Sequence, residues 1–183
     1  LGLDDVVLVT PDEVGIEGEP VEDADSFEGN AEIKVRYYGE RSGLPTLADD
    51  SGLEVDALDG GPGVYTKRYA GPEATDEDNN TKLLGELDGL PTSARGAHYQ
   101  CVLAFWDPRS GQEPVFRVGR FEGRIATARR GSGGFGYDPI FEPAGEAPGG
   151  RTVGQMTSDE KHALSHRGQA ARAMAEYLEG EGW

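Results

Sequence analysis

The spacing of apolar and polar positions along this chain predicts helices and strands in alternation. Leu3–Val9 (LDDVVLV) reads as an opening strand, and Pro11 to Ser26, rich in Pro, Gly, Asp and Glu, as loop. Ser26 can cap a helix from about Phe27 to Arg41, with Ala31, Val35 and Tyr38 on one face and Gly43 as its stop. A short strand, Pro45 to Ala48, is expected next, then an acidic turn, then a weakly alternating strand, Leu53 to Leu58. Thr75 with Asp78 forms a capping box for a helix to about Leu87.

The clearest strand is Ala97 to Trp106. Tyr99, Cys101, Leu103 and Phe105 lie on one face, and His98, Gln100, Val102, Ala104 and Trp106 on the other. Asp107-Pro108-Arg109-Ser110-Gly111 is a turn, and Pro114 to Ala126 returns as strand, bent near Gly119 and Gly123. A glycine-rich loop, Gly131 to Gly136, leads into Tyr137-Asp138-Pro139. Thr157 and Glu160 box a short helix, and Ala170, Ala173, Met174, Tyr177 and Leu178 stripe a last one. The order β-α-β, antiparallel stretch, helices predicts a mixed-sheet α/β domain.

Length and composition narrow this. The 183 residues suit a single domain, 1–183, with no internal repeat or long linker. No run of about 18 apolar residues could span a membrane, and no secretory leader is read at the start. One cysteine, Cys101, forms no internal disulfide and fits a reducing cytoplasm. The net charge of -17 argues against a nucleic-acid-coating role, which needs clustered Lys and Arg. The acidic residues are dispersed, as on a solvated surface, and would suit a high-salt cytoplasm.

Three segments carry candidate chemistry. Asp49-Asp50-Ser51-Gly52 follows a short strand; it reads equally as an acidic turn or as a Mg²⁺ site, where one carboxylate ligates and another orients or deprotonates water. Gly133-Gly134-Phe135-Gly136-Tyr137-Asp138-Pro139 reads as a glycine-rich turn or as a loop that lets a ligand approach, with aromatics to stack on a base. It is not a P-loop, since no Gly-Lys-Ser/Thr closes it. Ser165-His166-Arg167-Gly168 separates the last two helices and could read a ring carbonyl or phosphate. Glu22, Asp23 and Lys34 read locally as surface groups, and Lys161 is open in the same way as Ser165 to Gly168, as an exposed polar group or a substrate contact. His98 and His162 have no evident partners, and Cys101 reads as core.

Taken in order, these segments resemble the inosine triphosphate pyrophosphatase family, the house-cleaning enzymes that hydrolyse dITP, ITP and XTP. Ser26 to Lys34 (SFEGNAEIK) is similar to its helix motif, and Leu44 to Leu58 (LPTLADDSGLEVDAL) to its signature. Pro62-Gly63-Val64-Tyr65, Arg68-Tyr69-Ala70-Gly71, Gly133 to Pro139, and Lys161 with Ser165 to Gly168 follow at the family's spacing. The resemblance implies an elongated mixed β-sheet flanked by helices, with two lobes around a substrate cleft, a homodimer, and Mg²⁺ as cofactor. Asp50 would be proton acceptor and metal ligand, with Asp49 and Glu22 as further metal carboxylates. Lys34, Ser51 and Lys161 would hold substrate. Phe135, Gly136, Tyr137 and Asp138 would line the base pocket, and His166 and Arg167 would recognise the 6-keto purine.

Two departures from the family pattern accompany the match. Its opening Thr-x-Asn-x-x-Lys loop, which wraps the triphosphate, is absent, so the domain is read as N-terminally incomplete. Gly29 stands where the family usually has Glu. The alternatives are a catalytically impaired nucleotide-binding protein and a related pyrophosphatase acting on modified pyrimidine nucleotides.

Overall fold

The computed structural model describes residues 6–183. Its main elements in chain order are α1 (Phe27–Ser42), β1 (Thr46–Val55), α2 (Asp76–Glu86), β2 (Gly96–Trp106), β3 (Val115–Ile125), β4 (Phe141–Pro143), α3 (Ser158–Leu164) and α4 (His166–Gly180), with short 3₁₀ turns between them. The strands form one antiparallel sheet in the order β1-β2-β3-β4. Gly123, Arg124 and Ile125 of β3 face Pro143, Glu142 and Phe141 of β4. An α/β fold with flanking helices is therefore present, with an antiparallel sheet in place of the mixed one expected, since consecutive strands here pair as neighbours. Among the described residues, no helix is long and apolar enough to cross a membrane.

The helix ends follow local chemistry. The Ser26 hydroxyl accepts the Gly29 N–H at 3.1 Å, and Gly43 closes α1 in the left-handed conformation at φ 66°. Thr75 and Asp78 cap α2 reciprocally, as Thr157 and Glu160 cap α3. Gly29 has its own reason here. A Cβ at that position would lie 2.7 Å from the Ala24 Cβ, because the chain before α1 folds back against its first turn. The helix-propensity cost of glycine is thus tied to a close approach in the loop that carries Glu22.

Three further expectations are corrected. The opening strand does not form over Val6–Val9, which adopt no regular structure, and Leu3–Asp5 lie outside the described residues. Val7, Leu8 and Val9 are exposed; an apolar run without a ladder partner has no strand to join. The acidic turn does not exist either. Thr46–Val55 is one continuous strand through Asp49-Asp50-Ser51-Gly52, and Asp56–Leu58 is a 3₁₀ turn. Asp and Ser favour turns only as a local preference, which ladder pairing overrides. Finally, Ser165 alone separates the last helices. His166, Arg167 and Gly168 already form the first turn of α4.

The chain divides into two compact units. One comprises Leu1–Ser51, Cys101–Gly119 and Arg167–Trp183, and the other Gly52–Gln100 and Arg120–His166. In the first, α1 buries Phe27, Ala31, Val35 and Gly39, spaced by four residues down one face. The Trp106 ring lies where a Cβ on Gly39 would be. The last helix buries Ala170, Met174, Ala175 and Leu178, and β2 contributes Cys101, Val102 and Ala104.

The second unit has its own core. Leu53 and Val55 of β1, Ala97 and Tyr99 of β2, Phe121 and Ile125 of β3 and Phe141 of β4 pack with Leu83, Leu87, Tyr137, Ile140 and Val153. Each fully buried large side chain contributes about 1.5–3 kcal/mol. Two buried charges brace this core. Arg95 donates to the carbonyls of Ile125, Leu87 and Ala126 at 2.8, 2.6 and 2.7 Å. Glu142 is met by Arg124, Arg130 and the Gly149 N–H.

Candidate active site

Each unit assembles its own set of candidate groups. In the first, α1 places Asn30 and Lys34 one turn apart on the same side. Asn30 is 2% exposed. Its side-chain oxygen accepts the Ala24 N–H at 3.0 Å, and its amide donates to Asp50 Oδ2 at 3.3 Å. One side chain thereby ties the loop bearing Glu22 to the strand bearing Asp50. Between them sits Lys34, whose Nζ is 2.9 Å from Glu22 Oε2 and 2.8 Å from Asp50 Oδ1. Glu22 and Lys34 read as surface groups from local sequence, yet they belong to one carboxylate–ammonium–carboxylate trio.

The electrostatics of the trio are set by burial. Burial pushes the Asp50 carboxyl above its ordinary range, and the Lys34 and Asn30 hydrogen bonds only partly reverse this. Burial likewise works against the Lys34 ammonium, but its bonds to Asp50 and Glu22 more than offset that and raise its pKa. Burial, and not the lack of a positive partner, therefore dominates at Asp50. Mg²⁺ takes few protein carboxylates and keeps several waters or phosphate oxygens, so Glu22 and Asp50 fit it as a donor set. No group of three or more His, Cys, Asp or Glu positioned for a metal occurs among the described residues.

Asp49 and Asp50 do not form the adjacent carboxylate pair their sequence suggests. They are successive residues of a strand, so their side chains leave opposite faces. The Asp49 carboxylate accepts Arg167 Nε at 3.0 Å and lies 3.5 Å from the Ser51 hydroxyl and 3.8 Å from Cys101 Sγ. Asp49 therefore orients Arg167, a side chain half exposed and free to extend its other N–H groups. Burial, with the Asp49 charge beside it, pushes the Cys101 thiol up to about 12. A thiol so held is a core group, as its strand position predicts, and not a nucleophile.

The second unit holds the glycine-rich loop, Lys161 and His166. The Asp138 carboxylate, 2% exposed, accepts the Phe135 N–H at 2.9 Å and pairs with Lys161. Gly134, at φ 76°, passes so close that a Cβ there would run into the Asp138 carboxylate, so glycine is what lets the loop close on it. Lys161 Nζ lies 3.9 Å from the centroid of the Phe135 ring, which is 61% exposed and presents an open face. Tyr137 is placed otherwise than expected. It is 1% exposed and donates its hydroxyl to the Thr66 carbonyl at 2.9 Å, so it anchors the loop from within the core. His166 is buried, with its ring stacked on Tyr99.

Several residues have roles their local sequence did not signal. Asp76 accepts the Gly136 N–H at 2.6 Å and Asn80 donates to the Gly136 carbonyl at 2.8 Å, so the first turns of α2 grip both sides of that loop residue. The only hint was their i, i+4 spacing beside a capping box. His98, read as partnerless, lies 2.7 Å from Glu54 and 2.5 Å from Arg120 in a polar row across β1, β2 and β3. His162 is exposed.

Comparison with known proteins gives one consistent answer. The model of the Ham1 family matches residues 3–177. A dITP/XTP pyrophosphatase of Methylococcus capsulatus is 49% identical over 153 residues, covering 84% of this chain and 75% of that protein. One from Yersinia pseudotuberculosis is 44% identical over 177 residues, covering 97% and 86%. Among solved structures, a HAM1 protein from Coxiella burnetii superposes with a TM-score of 0.82 at 40% identity, over 89% of this chain and 81% of that one. A match of such length, identity and fold places the chain in the Ham1 family.

Proposed function

We propose that this protein hydrolyses non-standard purine nucleoside triphosphates, dITP, ITP and XTP, to the monophosphate and pyrophosphate. It is a nucleoside triphosphate pyrophosphatase, as its membership of the Ham1 family and its dITP/XTP pyrophosphatase relatives indicate. The observation that carries the reading is the trio of Glu22, Lys34 and Asp50, in which one ammonium bridges two carboxylates. The homodimer belongs to the same proposal.

The chemical problem is attack of water on the α-phosphorus of a polyanion by an acidic protein. Mg²⁺ bound through Glu22 and Asp50 would supply charge neutralisation at the phosphates and a lowered pKa for a bound water. Asp50 accepts the proton of the attacking water, a task for which a carboxyl raised by burial is better matched than an ordinary one. Lys34 adds a local positive charge against the phosphates. Lys161, held by Asp138, adds a second.

Base selection rests on donors. His166 and Arg167 donate to the O6 oxygen of hypoxanthine or xanthine, and Asp49 holds Arg167 for this. Phe135 offers its exposed face to the purine. Adenine carries an amino donor at the same position and would leave protein donors unpaired. That costs about 1–3 kcal/mol, or roughly ten- to a hundredfold.

A substrate panel tests this reading. With Mg²⁺ present, kcat/KM for ITP, dITP and XTP should exceed that for ATP by roughly ten- to a hundredfold, and EDTA should abolish turnover. Preference for dTTP, UTP or a modified pyrimidine would favour the pyrimidine-directed alternative. Binding of ITP without pyrophosphate release would favour a nucleotide-binding protein.

A further inference from the structure

Tyr99 has no part in the roles assigned above, and on β2 it reads simply as a core residue. Its surroundings say more. Its ring lies parallel to the His166 imidazole, with centroids 5.0 Å apart and planes 9° apart. The Phe141 ring meets it at 4.7 Å and 48°, and Phe141 in turn rests against Phe121 at 5.3 Å. All these residues belong to the second unit.

The torsion that turns an imidazole about its Cβ–Cγ bond is broad and roughly two-fold, so a histidine's own rotamer preferences do not fix its ring plane. A parallel aromatic neighbour does fix it, because tilting the imidazole would break the stacked contact. A hydrogen bond from a ring nitrogen to a carbonyl weakens steeply once it leaves a straight line. The orientation of the His166 ring therefore decides whether it can donate well to O6. The side chain that sets this orientation is itself held rigidly, since Tyr99 is only 8% exposed and is backed by two phenylalanines.

We propose that Tyr99 is a positioning residue for purine selection, its ring fixing the plane of the His166 imidazole. The inference rests on His166 being a base-reading residue, as argued under the proposed function. The ring is what acts, so phenylalanine should serve in its place, whereas methionine fills the volume without supplying a plane.

The test is a double-mutant cycle on the intact protein, reading the ratio of kcat/KM for ITP to that for ATP. Tyr99→Met should lower the ratio about tenfold, chiefly through a higher KM for ITP. Tyr99→Phe should keep it within about threefold of wild type. In a His166→Ala background, Tyr99→Met should change the ratio no further, because its route of action is gone. Circular dichroism and a thermal melt establish that each variant is folded. Tyr99→Leu replaces the Met variant if that one unfolds. A folded Tyr99→Met with an unchanged ratio would overturn the inference, as would equal effects of Tyr99→Met with and without His166. A wild-type protein that does not prefer ITP to ATP would overturn the functional reading, and this inference with it.

Discussion

Replacing Asp50 by Asn is expected to reduce kcat for ITP by about 10²–10⁴ while the protein stays folded. The substitution keeps the shape of the side chain and removes its capacity to accept a proton. It also removes one of the two carboxylates that suit a divalent cation, so the loss should sit at the upper end of that range. Stability should hardly move. The folded state raises the Asp50 pKa, chiefly through burial. A carboxyl whose folded pKa exceeds its unfolded value makes its ionised form a net cost to folding, and that cost grows as pH rises through the interval between the two. A neutral isostere avoids this cost. Lys34 loses one partner but keeps Glu22 at 2.9 Å. The net change should be below about 1 kcal/mol, which for a chain of this size moves Tm by about 2–4 °C. Undiminished pyrophosphate release from ITP by this variant would remove Asp50 from the mechanism.

Arg95→Met should act in the opposite way, with a large loss of stability and little effect on the chemistry. Arg95 is 2% exposed and spends three N–H groups on the carbonyls of Leu87, Ile125 and Ala126. It connects the end of α2 to the end of β3, and among the described residues no carboxylate bonds to it. Burial lowers its pKa, though a guanidinium stays charged at any relevant pH. Methionine would fill much of the space and leave three carbonyls without these donors, each worth about 1–3 kcal/mol. Since the three losses share one site, a combined cost of about 3–5 kcal/mol is expected, or a fall in Tm of about 10 °C. Lysine should rescue little, because a single ammonium cannot span three divergent carbonyls. A thermal melt within about 2 °C of wild type would show that the core does not depend on this brace.

The sequence made the helices legible because helix ends are local. Ser26, Thr75 and Thr157 cap helices within three residues of themselves, and each cap is present. The β1 strand was less legible for the complementary reason. Asp49-Asp50-Ser51-Gly52 has turn chemistry, and only pairing with a distant strand makes it extended. That error had a chemical consequence. Adjacent acids in a turn could share a cation, whereas adjacent acids in a strand face apart. Asp50 therefore found its partners, Asn30 and Lys34, on α1, while Asp49 turned to Arg167.

The same distinction runs through the rest of the site. Lys34 looked like a surface residue because the helix pattern says nothing about a loop folding back over it. Tyr137 looked like a ring for stacking on a base because its burial depends on the far side of its own unit, where Thr66 accepts its hydroxyl. His98 looked solitary because its neighbours, Glu54 and Arg120, lie on adjoining strands. The resemblance to the pyrophosphatases supplied the residues as a group, and the structure adds which of them contact one another: Asp50 with Asn30 and Lys34, Asp49 with Arg167, and Tyr137 with Thr66.

The most direct test of the account is where the oxygen of water goes. ITP should be hydrolysed with Mg²⁺ in ¹⁸O-enriched water and the products analysed by mass spectrometry. Attack at the α-phosphorus predicts one ¹⁸O in the inosine monophosphate and none in the pyrophosphate. Label in pyrophosphate with unlabelled monophosphate, or release of labelled inorganic phosphate with inosine diphosphate, would contradict it.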